Sequence, residues 1–351
     1  MSEARKQRFG VLVEKGKIEV RERMLPELGA YDVLVKHEAC NICTTDYTQY
    51  LGFREHQGYP MAAGHEDSGF IAAVGSAVRD FQVGDHIAMG CLSCGYCDEC
   101  KNGHEGFCKD NDLNLHITED GYRGPFGFSD YVVVPARRCI KISKELPAGE
   151  AGFLEPLATV SKGIKIAGVQ PGDTVVVIGA GTMGLLNAIT LKAKACRVII
   201  TEMMENKIKN AKAEGLEVID LNQSDPVEEV QRLTGGKGAD AVFVCVGSTQ
   251  ANQQAVEMLK KHYGKILIFA AKYPEPMFEI SSNVIHYRHM QIFGTTGADL
   301  SDFLDAAKML SSGAVKVTRL LETSYYDLDH IRDAFEEAVI PGKYRVTVHL
   351  S

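Results

Sequence analysis

The chemistry of this chain concentrates in its cysteines. Cys94, Cys97, Cys100 and Cys108 follow the spacing C-x2-C-x2-C-x7-C. Four thiolates in one short segment can close a tetrahedral shell, and zinc is the usual occupant. A closed shell leaves no position for a substrate, so the expected role is structural, stapling a loop that has no core of its own. Asp98, Glu99 and Glu105 stand among these cysteines and argue against a nucleic-acid-binding finger. A second set is scattered. Cys43 follows an alternating segment, His65 and Glu66 lie in Ala63-Gly64-His65-Glu66, and Glu155 lies in Phe153-Leu154-Glu155-Pro156. Singly, each reads as a core or cap residue. Together, one thiolate, one imidazole and carboxylates make an open, mixed zinc shell suited to Lewis-acid chemistry on a substrate oxygen.

A third constellation points to a dinucleotide. Gly179-Ala180-Gly181-Thr182-Met183-Gly184 is a GxGxxG placed directly after the apolar run Thr174–Ile178 and before a helical stretch. The first glycine permits a tight turn, the second lets backbone approach a pyrophosphate, and the third allows close helix–strand contact. The helix N-terminus then offers free N–H groups to phosphate. Glu202 ends the next apolar run, at the distance expected of the acid that binds the adenosine ribose hydroxyls. A carboxylate there repels a 2′-phosphate and favours NAD over NADP, with Lys207 near enough to soften the preference. Val246 and Gly247 end a later strand on the cofactor side. Thr295, with Thr296 and Gly297, follows the last strand and is expected at the nicotinamide end.

The elements that hold these residues fall into two patterns. Residues 8–40 alternate apolar and polar, as an antiparallel half-exposed sheet does, and Asp130–Pro135 reads as another strand. Gly-rich turns punctuate residues 52–90, 91–128 read as loop, and this first part looks all-β with long loops. Beyond residue 157 the pattern changes to buried strands at Thr174–Ile178, Arg197–Thr201, 217–220, 241–245, 265–269 and 290–294. Helical segments lie between several of them, which predicts a parallel sheet with right-handed crossovers. Helices are expected at Asn206–Glu214, Asp299–Ser311 and 328–338, and a β run at Tyr344–Leu350.

Composition agrees with a two-domain globular protein. The 351 residues are 45% hydrophobic and 24% charged, too balanced for a disordered chain and too long for one small domain. The net charge of -8, with no basic block, argues against a nucleic-acid partner. No apolar run is long enough to span a membrane. Residues 1–10 show no signal segment, and the cysteines suit metal binding in a reducing compartment, so a cytoplasmic setting is expected.

In this order, Cys43, Gly64-His65-Glu66, the four-cysteine segment, Glu155-Pro156 and the late GxGxxG resemble the zinc-dependent medium-chain dehydrogenases over nearly the whole chain. Glu155-Pro156-Leu157-Ala158 resembles the polyol (sorbitol-type) and threonine dehydrogenase branch rather than alcohol dehydrogenases with a Cys at that place. The resemblance implies a GroES-like β-barrel domain, 1–157 and 296–351, carrying a structural zinc lobe at 91–108. It implies a Rossmann NAD-binding domain at 158–295. It implies two zinc ions per chain, Cys43 and His65 as ligands of the catalytic one, and Glu66 and Glu155 as direct or alternating ligands. It implies Thr45 as the hydroxyl that relays the substrate proton, and a homodimer or homotetramer. Thr44, Thr48 and Cys91 depart from the family pattern. Thr48 stands where many relatives have a relay His, with Tyr47 or His56 as substitutes, and Cys91 where threonine dehydrogenases have a His.

The expected substrate is a small secondary alcohol or ketone of a polyol, sugar or related polar metabolite, neutral or anionic. Leu51–Tyr59 is expected to overhang the zinc, and Arg54, Arg123 and Arg288 are candidates to receive an anionic group. Two other functions fit less well. A zinc-free quinone or enone reductase would not need the ligand set, and a non-catalytic NAD-binding structural protein would not need Thr45. His37, His86, His104, His116, His262, His330 and His349 have no motif around them and read as structural or exposed.

Overall fold

The computed structural model describes residues 6–91, 93–109, 117–272 and 274–351; His116 lies outside them. The chain runs through β1 (Lys6–Glu14), β2 (Lys17–Met24), β3 (Asp32–Asn41), α1 (Thr44–Tyr50), β4 (Glu66–Val74), β5 (His86–Met89) and α2 (Asp98–Lys101). Then come β6 (Tyr131–Pro135), β7 (Cys139–Lys141), α3 (Ala148–Ala151), α4 (Leu154–Ala167), β8 (Thr174–Ile178), α5 (Thr182–Ala193), β9 (Arg197–Glu202) and α6 (Glu205–Ala213). β10 (Glu217–Asp220), α7 (Pro226–Leu233), β11 (Ala241–Val244), α8 (Thr249–Met258), β12 (Lys265–Ile268), α9 (Ser282–Arg288) and β13 (Gln291–Gly294) follow. The last elements are α10 (Leu300–Ser311), β14 (Tyr326–Asp327), α11 (Ile331–Ala338) and β15 (Thr347–His349). They form two compact units. One comprises the chain up to Ala158 together with Ala298–Ser351, and the other is Thr159–Gly297.

The first unit is mostly β. Its main sheet has the order β14-β15-β3-β4-β5-β7, with β6 also paired to β3, and β1-β2 is a separate hairpin. β3 buries alternate residues along its first half and then Ala39, Cys40 and Asn41 together, as it passes into the interior. Its pairing with β4 sets Asn41 opposite Glu66, and its pairing with β15 sets Asn41 opposite Thr347. Segments far apart in sequence therefore meet just before Cys43. α11 buries Ile331, Ala334, Phe335 and Ala338, the i, i+3, i+4, i+7 stripe of an amphipathic helix. Its Phe335 meets Phe128 edge-on in the same core as Leu12, Ile42 and Val346.

The second unit is a six-stranded parallel sheet of order β10-β9-β8-β11-β12-β13. The strand order reverses between β8 and β11, which creates a crevice at the carboxyl ends of those strands. β8 is apolar from Val175 to Ile178 because both its faces are covered; Val175, Val176 and Val177 have no exposed surface. Between the turns of residues 52–90 lie β4 and β5, strands that the sequence pattern does not place because β4 opens with the buried polar run Glu66-Asp67-Ser68. One sequence expectation changes. Tyr344–Leu350 is a regular strand only over Thr347–His349, since the backbone N–H of Arg345 donates to Leu320 instead of to β3.

Candidate active site

β3 delivers Cys43 to the N-terminal end of α1, and His65 immediately precedes β4, whose first residue is Glu66. The antiparallel pairing of these strands brings one ligand atom each of Cys43, His65 and Glu66 within 4.8 Å of one another. A thiolate, an imidazole nitrogen and a carboxylate at this separation suit zinc with its fourth position open. Glu155, in the first turn of α4, is not in that group. It acts electrostatically on Arg345.

Two residues that sequence reading missed hold this group. Asp46 is 3% exposed and accepts from the N–H of Cys43 at 2.9 Å and of Gly64 at 3.2 Å, so it ties both ligand-bearing segments together. Its carboxylate lies 3.5 Å from His65 Nδ1 and fixes the ring from behind. Burial works against the charge on both partners. Asp46 is nevertheless held below the usual carboxylate range and His65 is pushed well up by their mutual attraction. Arg345, 4% exposed, donates Nε and Nη2 to the two oxygens of Glu66 at 2.7 Å each, and Nη2 lies 3.4 Å from Cys43 Sγ. Burial and Glu66 raise the Cys43 thiol, while Arg345 and His65 pull it down. Each Glu66 oxygen has two lone pairs, so the ion pair leaves one for an ion. An Asp at the third residue of α1 is a capping signal visible in sequence. Arg345 carries no such signal, because its partner is 279 residues away.

A cavity of about 90 Å³ opens beside His65 and is lined also by Thr45, Asp46, Gln49, Gln57, Met61 and Pro125. Thr45, the residue expected to relay the substrate proton, thus lines the cavity. Thr48 does not, since its hydroxyl donates to Thr44 O at 2.7 Å and Thr45 O at 3.1 Å. Tyr47 packs on the core and His56 is exposed, and neither lines the cavity. Of the loop expected to overhang the site, Gln57 lines it and Arg54 does not. Arg123 donates to Gln57 O at 3.4 Å. Arg288 donates to the carbonyls of Val256, Leu259, Lys260 and Lys261, which makes it a clamp within the second unit rather than an anion receptor.

The four-cysteine segment also fits an ion. Cys94–Cys100, Cys97–Cys100 and Cys97–Cys108 sulfur pairs are 3.9, 3.5 and 3.9 Å apart. Zinc–sulfur bonds of about 2.3 Å in a regular tetrahedron place sulfurs about 3.8 Å apart. Burial raises Cys94, but N–H groups of Tyr96 and Cys97 outweigh it and bring the thiol down to about 7. The segment is fastened to α10: Gly106 N–H donates to Asp299 at 2.9 Å, and Leu300 N–H donates to Glu105 at 3.2 Å.

In the second unit the glycine turn opens on a groove of about 790 Å³ lined by Gly179, Glu202, Val246, Gly247, Ser248 and Lys272 among others. That is the size of a cofactor site. Gly179 has φ +94°, and a Cβ there would lie 2.4 Å from Val246. A Cβ on Gly184 would lie 1.9 Å from Gly179 O, so the third glycine is required by close helix–strand approach. A Cβ on Gly181 would meet only the end of Lys207, at 3.8 Å, which leaves the helix N-terminus open to phosphate. Thr182 and Met183 open α5 behind it. Glu202 accepts from the N–H of Ala180 at 2.8 Å, Met203 at 2.7 Å and Met204 at 3.0 Å, so its carboxylate is rigidly aimed. Thr295 is not in the groove wall; its hydroxyl is buried with no partner among the described residues.

Residues 29–144 match the alcohol dehydrogenase GroES-like domain, and residues 182–312 match the zinc-binding dehydrogenase family. The sorbitol dehydrogenase of Halalkalibacterium halodurans is 31% identical over 88% of this chain and 89% of its own length. The chain belongs to the zinc-dependent medium-chain alcohol dehydrogenase family. It is an enzyme of the polyol and threonine dehydrogenase branch, acting on CH–OH groups. L-threonine 3-dehydrogenase of Pyrococcus furiosus is 30% identical over 91% of each chain. The solved structure of a proposed zinc-binding dehydrogenase from Sinorhizobium meliloti 1021, bound to NADP, superposes with TM-score 0.86 at 28% identity, covering 98% of this chain and 99% of that one. The GroES-like and Rossmann folds expected from sequence are those of the family. Zinc and a nicotinamide cofactor are what this dehydrogenase family uses. Among the described residues, no helix is long and apolar enough to cross a membrane.

Proposed function

We propose that this dehydrogenase transfers a hydride between NAD and a secondary alcohol or its ketone on a polyol, sugar or related polar metabolite. The observation that carries the reading is the open group of Cys43, His65 and Glu66 beside the cavity that Thr45 lines. When bound, zinc polarises the substrate oxygen and lowers its proton affinity, and the nicotinamide takes up the hydride. The chain's residues do the rest. Asp46 holds His65 in place, and Arg345 restrains Glu66. Thr45 Oγ1 accepts the hydroxyl proton as it leaves, and Met61 and Pro125 keep part of the cavity wall dry. In the second unit Gly181 and the start of α5 hold the pyrophosphate, and Glu202 takes the ribose hydroxyls. Cys94, Cys97, Cys100 and Cys108 would hold a second, structural zinc. The same reading includes Glu155 as an alternate ligand, Thr295 at the nicotinamide end, a cytoplasmic setting, and a homodimer or homotetramer paired through the outer edge of β13.

The test is NAD reduction by zinc-loaded protein across neutral polyols and their phosphorylated or carboxylated counterparts. Turnover of the neutral series is expected. Cys43→Ser is expected to abolish it, while NADH affinity by fluorescence titration stays within about threefold. Retained turnover in Cys43→Ser would overturn the metal assignment.

A further inference from the structure

The groove of the second unit continues past the glycine turn and Glu202. There it is lined by the loop after β10, the start of α7 and the first two turns of α8. Met203, Leu221, Pro226, Val246 and Ala251 give this stretch apolar surface, and Met203 and Leu221 are 60% and 36% exposed. Apolar side chains left open in a groove wall suit a flat ring. A ribose carries its base on the carbon opposite the one that bears its phosphate. With pyrophosphate at Gly181 and ribose at Glu202, the base is directed into this stretch.

Its polar groups sort by what they already do. Asp225 caps α7 and accepts from the N–H of Val227 at 2.9 Å and of Glu228 at 3.0 Å. Ser248 Oγ accepts from the N–H of Ala251 at 3.4 Å. Gln223 Nε2 donates to Asp220 at 2.8 Å. Gln250 and Gln254 are not so committed. They stand one turn apart on α8 and share a face. Both line the groove, and neither side chain has a hydrogen-bond partner among the described residues. A carboxamide sets a donor beside an acceptor. Adenine offers the complement, because its N6–H groups donate and the adjoining ring nitrogen accepts. A lysine only donates and a carboxylate only accepts, so neither Lys272 nor Glu202 matches that pair.

We propose that Gln250 and Gln254 read the edge of the adenine base, carboxamide oxygen accepting from N6–H and carboxamide nitrogen donating to the adjoining ring nitrogen. This rests on the dinucleotide reading of the groove. It adds selection of the base to the selection that Glu202 makes at the ribose.

Calorimetric titration of the zinc-loaded protein tests this with NAD, NADP and etheno-NAD, whose added ring ties up N6 and a neighbouring ring nitrogen and keeps the stacking face. The proteins are wild type, a double variant combining Gln250→Met with Gln254→Met, and Gln253→Met. Gln253 is exposed on the same helix and does not line the groove. Wild type is expected to bind NAD about tenfold or more tighter than etheno-NAD. The double variant is expected to lose roughly 5- to 100-fold on NAD, the range for a paired base contact, and under about threefold on etheno-NAD. Gln253→Met is expected to keep both affinities. Equal losses on the two dinucleotides in the double variant, or a wild type indifferent to the etheno ring, would overturn the proposal. So would a loss on NADP greater than that on NAD, because the amides would then be donating to a ribose 2′-phosphate. Binding is read apart from hydride transfer. If no alcohol is turned over, yet the double variant loses NAD and keeps etheno-NAD, the substrate reading falls and the role of the two glutamines stands. A wild type that binds neither dinucleotide takes the cofactor out of the groove and the proposal with it.

Discussion

At the residue scale, the two charged anchors of the candidate sites differ in how they are held. Glu202 spends its carboxylate on three backbone N–H groups of its own turn, whereas Glu66 spends its carboxylate on Arg345. Removing Glu202 therefore does two things: it deletes the acceptor for ribose hydroxyls, and it frees N–H groups that favour anions. Glu202→Ala is expected to weaken NADH at least tenfold in fluorescence titration and to leave NADPH unchanged or tighter. An unchanged NADH/NADPH ratio would take Glu202 out of the ribose site. Glu202, the glycines and the four-cysteine segment are legible from spacing, because each belongs to a local motif, whereas Cys43, His65 and Glu66 are scattered and read as a ligand set only through the family resemblance. Arg345 is not legible from spacing. The partner of Arg345 is set by the β3–β4 and β15–β3 registers.

At the element scale, the second unit was the easier to read, because strands buried on both faces are continuous apolar runs. The first unit hid β4 behind the polar residues that serve the site. What aligns the parallel strands is also local. Asp240, just before β11, accepts from Thr174 N–H at 2.8 Å at the head of β8, and from Lys260 at 2.6 Å. Burial raises its carboxyl, but Lys260 and the Thr174 N–H outweigh this and hold it below its ordinary value. A depressed carboxylate contributes stability above the unfolded pKa of about 3.9 and loses it as pH falls through the lower folded value. Asp240→Asn should cost ~0.5–1 kcal/mol at pH 7, the modest figure for a pair about a third exposed. The cost should fade below about pH 4. Denaturant melts at pH 7 and pH 3.5 check this, and an equal cost at both would mean the charge contributes nothing.

At the scale of the whole molecule, the two units have separate interiors and separate ligands. The proposed zinc sites both lie in the first unit, where one gathers residues from β3, β4 and the β15 approach and the other lies in a lobe whose Glu105 and Gly106 hydrogen-bond to the start of α10. The glycine turn and Glu202 lie wholly in the second, built on its own parallel sheet. Ligands that bind only the folded state stabilise the unit that holds them by RT ln(1 + [L]/Kd), ~2.7 kcal/mol at a hundredfold excess over Kd. Calorimetry should thus resolve two responses. NADH at that excess should raise the transition of the second unit by about 10 °C. Chelation should lower that of the first, because its loop loses the ion that substitutes for a core. Cys97→Ser should reproduce the chelation shift and leave the NADH shift intact. A chelator that moved only the NADH-sensitive transition would place the metal in the wrong unit and undo both zinc assignments together.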